Sequence, residues 1–156
     1  MLGATYRATT RALGLDYSHR AMKFLSRMDG ADRVHFVGTQ EDVAPCYAAA
    51  DVVVFSPTAP HQARPILEAG AMAKPVVVSD FACLHEFVTH SRNGLLFPPG
   101  DWRALAQAIC QLLDDPALAK QMGDENYRNT CEKHDARTNA PRFAAIYERV
   151  LRASHE

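Results

Sequence analysis

The stretch from Phe55 to Asp80, FSPTAPHQARPILEAGAMAKPVVVSD, constrains the fold of this chain more than any other. Its pattern predicts the end of one strand, a polar loop, a helix that opens with Pro65, and a second buried strand. Proline suits the first helical position because its missing N–H would have no partner there and its φ is already fixed. The small residues between Ala69 and Ala73 would let the helix lie close to a sheet.

The junction of loop and helix is also the predicted ligand site. A helix that starts at the carboxyl end of a parallel strand concentrates unpaired N–H groups and positive dipole, which favours a bound phosphate. Arg64 precedes the helix, and a guanidinium can hold phosphate oxygens with two hydrogen bonds. Glu68 follows one turn later. A carboxylate there can accept hydrogen bonds from two hydroxyl groups at once.

Short β-branched runs alternate with amphipathic stretches along the rest of the chain. With short connections, this alternation predicts an α/β fold, a Rossmann-like three-layer domain with a short parallel sheet. Residues 4–13 show no clear pattern. The predicted strands are Arg33–Val37, Asp51–Phe55, Pro75–Ser79 and Leu95–Phe97, and the further predicted helices are Leu15–Arg27, Val43–Ala49, Asp101–Leu113, Pro116–Asn129 and Asn139–Leu151.

Composition excludes several classes of function. The 156 residues suffice for one domain with a core, and the net charge of -1 offers no basic face for nucleic acid. The four cysteines lack metal-ligand spacing, so a reduced, cytosolic compartment is expected. No apolar run approaches the roughly 20 residues of a membrane span. Asp114 and Asp115 precede Pro116 as helix-capping acids rather than as a metal pair, and no G-x-G-x-x-G supports a dinucleotide site.

Several short motifs, in this order, resemble those of the GT-B glycosyltransferases of family 4, the group 1 glycosyl transferases. The resemblance spans residues 33–150 and rests on RVHFVG from Arg33, Glu68-Ala69, KPVV from Lys74, Glu86, NGLL from Asn93, PGD from Pro99 and Asp115-Pro116. It implies the second, donor-binding lobe of a GT-B fold, incomplete at its amino end. Residues 1–32 would form a poorly defined helical segment, and residues 33–153 the donor domain.

The resemblance also implies a function. The intact enzyme would use a UDP-, GDP- or ADP-sugar, without cofactor or metal, for retaining transfer to a saccharide or lipid-linked acceptor, in cell-surface polysaccharide biosynthesis. It would be cytoplasmic, or peripheral at the inner membrane face. No catalytic residue is identified. The implied donor-binding residues are Glu68 for the ribose, Arg64 for the diphosphate, His61 and Gln62 for the sugar, Ala63 and Ile66 at the helix start, Thr39 and Gln40 for the base, and Glu86 nearby.

Departures from the family pattern leave a second interpretation open. Pro60 stands where the family has a glutamate that contacts the donor sugar, Ala63 replaces the loop glycine, and Cys83 replaces another glycine. The domain would then be a non-catalytic nucleotide-sugar-binding or scaffold module beside a separate acceptor domain. Glu68 would be only a favourable acid in a first helical turn, and Arg64 a solvated charge. Since the acceptor lobe and two sheet strands have no counterpart, we expect a fragment that is inactive alone.

Overall fold

The computed structural model describes residues 17–153, so the stretch 4–13 lies outside it. These residues divide into two compact units, one ending at Glu41 and the other beginning at Asp42. The domain boundary predicted after residue 32 stays a prediction. In the first unit, helix α1 (Tyr17–Leu25) confirms the predicted amphipathic helix, and a 3-10 turn follows at Ala31–Arg33. Gly30 precedes that turn with φ 82°, a conformation that suits glycine.

The strand predicted at Arg33–Val37 is wrong. Arg33 ends the 3-10 turn, and residues 34–40 have no regular secondary structure. Val34, Phe36 and Val37 all have exposed side chains. A segment becomes a strand only when a neighbouring strand completes its hydrogen bonds, and no described strand pairs with these residues.

The second unit alternates strands and helices as the sequence predicts. Its three strands form a parallel sheet in the order β1-β2-β3. All three lie inside the predicted ranges or within one residue of them. The elements are α2 (Ala44–Ala49), β1 (Val53–Phe55), α3 (Arg64–Ala71), β2 (Val76–Ser79), a 3-10 turn (Ala82–Leu84), β3 (Gly94–Phe97), α4 (Trp102–Asp114), α5 (Pro116–His134) and α6 (Ala136–Ala153).

Helices cover both faces of this sheet. On one face, Val76 and Val78 of the central strand pack with Ile66 of α3. On the other, Val77 packs with Leu112 of α4 and Met122 of α5. Successive strand side chains point to opposite faces, so a run of valines serves both cores. The predicted three-layer, Rossmann-like α/β fold with a short parallel sheet is confirmed.

The edge strand β1 is less protected than its sequence suggests. Its valine run predicts burial on both faces, yet the side chain of Val54 is 41% exposed. Val53, Val54 and Phe55 pair with β2 on one side, and the other side of β1 has no partner among the described strands. Among the described strands, this edge of the sheet is therefore open.

The carboxyl-terminal helices begin at aspartate caps. The side chain of Asp101 accepts hydrogen bonds from the N–H groups of Arg103 and Ala104, and Asp115 accepts one from Leu118. Helix α5 extends beyond its predicted end at Asn129 because its last turn packs: the ring of His134 stacks on Phe87 with centroids 5.2 Å apart.

The last helix, α6, also begins after an aspartate. Helix α6 begins three residues before its predicted start, since Asp135 accepts a 2.8 Å hydrogen bond from the N–H of Arg137. Within residues 17–153, no helix combines the length and the apolar character that crossing a bilayer requires.

Candidate functional site

The amino end of α3 offers fewer free N–H groups than the sequence predicts. The helix begins at Arg64, so Pro65 is its second residue rather than its first. Pro65 has no N–H, and the N–H groups of Ile66 and Leu67 both donate to the carbonyl of Ala63, at 2.9 and 3.2 Å. An anion at this end would therefore depend more on the Arg64 side chain than on a row of backbone donors.

Glu68 is held in place by a tyrosine from the neighbouring helix. The Tyr47 hydroxyl on α2 donates to Oε2 of Glu68 at 2.8 Å, and both residues are partly buried. Burial raises the pKa of Tyr47 to about 12, and the hydrogen bond to Glu68 and its charge add to the effect. The phenol therefore stays protonated and donates, which leaves Oε1 of Glu68 available for another donor.

Two loops meet at the carboxyl edge of the sheet. The loop after β1 carries His61, whose ring lies edge-on to Phe55 with centroids 5.6 Å apart. The thiol of Cys83, in the turn after β2, approaches the carbonyl of His61 at 3.8 Å. Parallel strands end at one edge, so these loops and the start of α3 form a common surface, as the predicted site requires.

An aspartate–histidine pair occupies the same edge. Nε2 of His85 lies 2.5 Å from Oδ1 of Asp80, the residue that follows β2. The backbone N–H of Asp80 donates to the carbonyl of Phe97 at 2.8 Å, which ties this residue to the end of β3. Asp80 is therefore positioned by both β2 and β3.

The other predicted donor-binding residues differ in what they can offer. Gln62, Arg64 and His61 are exposed, and Glu86 is exposed in the turn after the 3-10 helix. The side chains of Ala63 and Ile66 are buried in the core, so a donor contact there would have to come from the backbone. All these assignments stay predictions.

Thr39 and Gln40 belong to the first compact unit. Both are exposed, and the side-chain amide of Gln40 donates to the carbonyl of Val37 at 2.6 Å. Their predicted contact with the nucleotide base stays a prediction.

Two residues of this region were missed by sequence reasoning. Tyr47 is separated from Glu68 by 21 positions, and only the packing of α2 on α3 brings them together. Asp80 directly follows the predicted strand Pro75–Ser79, and a carboxylate in that position is a usable signal for a site at the sheet edge. Its partner is His85, five positions further along the chain.

The two cavities described for this chain are lined by residues other than the predicted donor-binding ones. One cavity of about 270 Å³ is lined by residues before β3 and along α5, including Arg92, Asn93 and Glu125. Another of about 410 Å³ lies at the opposite edge of the sheet, between Lys74 and Lys120. In the described part of the chain, no three His, Cys, Asp or Glu side chains come together as metal ligands.

Comparison with known proteins identifies the family. The family model for glycosyl transferases group 1 matches residues 8–115, more than half of the chain. This chain belongs to the group 1 glycosyltransferases. The match begins well before Arg33, where the motifs recognised from the sequence start.

The sequence relatives include a synthase and a glycosyltransferase of lipopolysaccharide core biosynthesis. The chain is 29% identical over 121 residues to N-acetyl-alpha-D-glucosaminyl L-malate synthase from Bacillus anthracis. This alignment covers 78% of the chain and 32% of the synthase. It is 31% identical over 105 residues to the lipopolysaccharide core biosynthesis glycosyltransferase LpsE from Rhizobium meliloti, covering 67% and 31%.

Solved structures support the same assignment. Anabaena HepE in complex with UDP-glucose matches with a TM-score of 0.80 and 28% identity, over 85% of this chain and 37% of HepE. The carboxyl-terminal domain of LpcC from Francisella tularensis, at 22% identity and a TM-score of 0.67, shares the fold. This group 1 glycosyltransferase chain spans about a third of the length of its first relatives and of HepE.

Proposed function

We propose that this chain is the donor-binding part of a glycosyltransferase that uses a nucleotide-diphospho-sugar. The donor would lie at the carboxyl edge of the sheet, between the loop after β1 and the turn after β2. Transfer would be retaining and independent of metal ions, to a saccharide or lipid-linked acceptor in cell-surface polysaccharide biosynthesis. Family membership supports the reaction class, and the complex of HepE with UDP-glucose supports this class of donor.

The orientation of Glu68 carries the proposal. Its carboxylate is partly buried on the first helix after an edge strand, and the Tyr47 hydroxyl fixes one oxygen at 2.8 Å. A fixed carboxylate with a second oxygen free to accept is suited to the vicinal hydroxyl groups of a ribose. The position agrees with the Glu-Ala motif that the sequence shares with the family.

Charge at the leaving group is the second element of the proposal. A departing nucleoside diphosphate needs positive partners, and without a metal ion these must be cationic side chains and N–H dipoles. Arg64 is the exposed cation at the start of α3. Because Pro65 and the Ala63 carbonyl remove three N–H groups from this end, we expect Arg64 to carry most of the interaction with the diphosphate.

The acceptor and any general base are assigned to sequence outside this chain. The chain aligns with about a third of HepE, and the edge strand β1 is open on one side. We therefore propose that a further lobe supplies the acceptor site. A cytoplasmic location, peripheral at the inner membrane face, belongs to this proposal for the intact enzyme.

Calorimetric titration with UDP, GDP and ADP tests the donor site. We expect one of them to bind, equally well with magnesium or with a chelator present. Glu68→Ala should weaken that affinity about tenfold, since a charged hydrogen-bond acceptor for the ribose is lost. Glu148→Ala, an exposed acid on α6 whose side chain is 68% accessible, is the matched control and should bind as the parent does.

The scaffold interpretation predicts a different outcome of the same titration. A scaffold would bind none of the three nucleotides, and Glu68→Ala would then change nothing. Binding that requires magnesium would contradict the metal-independent mechanism while leaving the donor site in place.

A further inference from the structure

The Asp80–His85 pair is a short contact between two side chains at the carboxyl edge of the sheet, and the proposed nucleotide site does not use it. Asp80 follows the last residue of the central strand, and its carboxylate lies 2.5 Å from Nε2 of His85. The two side chains are 49% and 53% exposed, so a ligand at the sheet edge can reach both. The pair is neither buried nor needed to fill the core.

With a neutral imidazole, this contact leaves one acceptor on each residue for a ligand. When Nε2–H donates to the carboxylate, the other ring nitrogen of the neutral imidazole, Nδ1, is an acceptor. The second oxygen of Asp80, Oδ2, is also an acceptor. Among residues 17–153, neither Nδ1 nor Oδ2 has a protein partner.

In this neutral form of His85 the pair has two acceptors and a net negative charge, which favours one kind of ligand group. A diphosphate is itself an anion and only accepts hydrogen bonds, so it is a poor match for this pair. The hydroxyl groups of an uncharged sugar donate hydrogen bonds and carry no charge, so they match both acceptors.

The location of the pair agrees with this chemistry. The turn that carries His85 contacts the loop after β1 through the Cys83 thiol and the His61 carbonyl, 3.8 Å apart. That loop leads into α3, where the nucleotide is proposed to bind. The pair thus lies on the same edge as the nucleotide site, on the neighbouring strand.

We propose that Asp80 and His85 bind hydroxyl groups of the transferred sugar and contribute to sugar specificity. This inference rests on the proposed donor site, because it places the sugar beside the nucleotide. His85 would contact the sugar through Nδ1. Asp80 would both hold the imidazole and accept a hydroxyl through Oδ2.

The test compares a nucleoside diphosphate with its sugar conjugate. Dissociation constants are measured for UDP and UDP-glucose, and for GDP and GDP-mannose, in the parent, Asp80→Asn and His85→Phe. We expect the ratio of the sugar-nucleotide constant to the nucleotide constant to rise about five- to tenfold in both variants, with nucleotide binding unchanged.

A matched control is available on α5. Asp124 is 47% exposed and lies 2.5 Å from Nζ of Lys120, so Asp124→Asn removes a carboxylate of equal exposure from an equally short pair. This variant should leave the ratio unchanged. Circular dichroism of each variant before titration shows whether its fold is retained.

Three results would overturn the inference. An unchanged ratio in both folded variants shows that the pair does not contact the sugar, and leaves the nucleotide site standing. An equal loss of affinity for nucleotide and sugar nucleotide assigns the pair to the nucleotide instead. Failure of the parent to bind any nucleoside diphosphate contradicts the proposed function and this inference together.

Discussion

Tyr47 shows how one residue outside the recognised motifs determines the behaviour of one inside them. Its hydroxyl donates to Glu68 at 2.8 Å, so the carboxylate is oriented by a side chain from another helix. Burial, the hydrogen bond and the charge of Glu68 all disfavour the phenolate, and they raise the pKa of Tyr47 to about 12.

Alkaline titration of Tyr47 is therefore a direct check on this contact. The difference in tyrosinate absorbance between the parent and Tyr47→Phe should titrate near pH 12 rather than near pH 10. Because the folded pKa is the higher one, the contribution to stability is complete below about pH 10 and is lost as the pH rises toward 12. A difference curve centred near pH 10 would contradict both the burial of Tyr47 and its hydrogen bond to Glu68.

The sequence predicts a donor contact at Glu68 but gives no indication of Tyr47, for a physical reason. A glutamate that follows a strand, loop and helix start lies within one local unit, so a short motif can identify it. A tyrosine on a different helix becomes its partner only through tertiary packing. Asp80 and His85 are five positions apart, and the turn between them decides whether their side chains meet. The periodicity of the side chains does not predict the shape of that turn.

Two glycines let α5 pack closely against α3 and the segment that follows it. A Cβ on Gly70 of α3 would collide with the Thr130 side chain, and one on Gly123 of α5 would collide with the backbone carbonyl of Ala73. A side chain can rotate away, whereas a backbone carbonyl cannot move without shifting the chain. The position of α3, and of Glu68 with it, therefore depends on Gly123.

Gly123→Ala should lower the free energy of unfolding by about 2–3 kcal/mol, because the added methyl forces α5 away from Ala73. Urea denaturation measures this change. Gly100→Ala is the control: its φ of 82° is strained for alanine, but nothing lies within 4 Å of the new methyl, so about 1 kcal/mol is expected. Equal losses in the two variants would show that close packing is not the cause.

Elements that depend on neighbouring residues follow from the sequence, whereas one predicted strand and one helix end depend on distant contacts and do not. Helix α4 follows from its cap at Asp101 and its apolar stripe, and β2 from its valine run. The segment Arg33–Val37 alternates apolar and polar residues as a strand does, but a strand needs a partner. The extension of α5 beyond Asn129 depends on the contact of His134 with Phe87, 47 positions away, which periodicity does not reveal.

At the scale of the molecule, the relation to the family bears on activity. The chain spans about a third of HepE, and the outer side of β1 is unpaired within the described sheet. Our proposal places the donor site in this chain and the acceptor site in a separate lobe.

The 156-residue chain on its own should therefore not transfer sugar. With UDP-glucose and a mixture of lipid-linked and saccharide acceptors, we expect UDP release no faster than in the absence of protein. The same preparation should still bind nucleotide in the calorimeter, which serves as the control for folding. Acceptor-dependent release of UDP by the chain alone would contradict the assignment of the acceptor site to a separate lobe.

The central claim is that Glu68 binds the ribose of the donor, and a comparison of UDP with 2′-deoxy-UDP tests it most directly; if the chain selects another base, the matching pair is used. The parent should bind UDP about five- to tenfold more tightly than 2′-deoxy-UDP, and Glu68→Ala should bind both with the same weak affinity. A parent that does not distinguish the two, or a Glu68→Ala variant that keeps the full preference for UDP, would contradict the account.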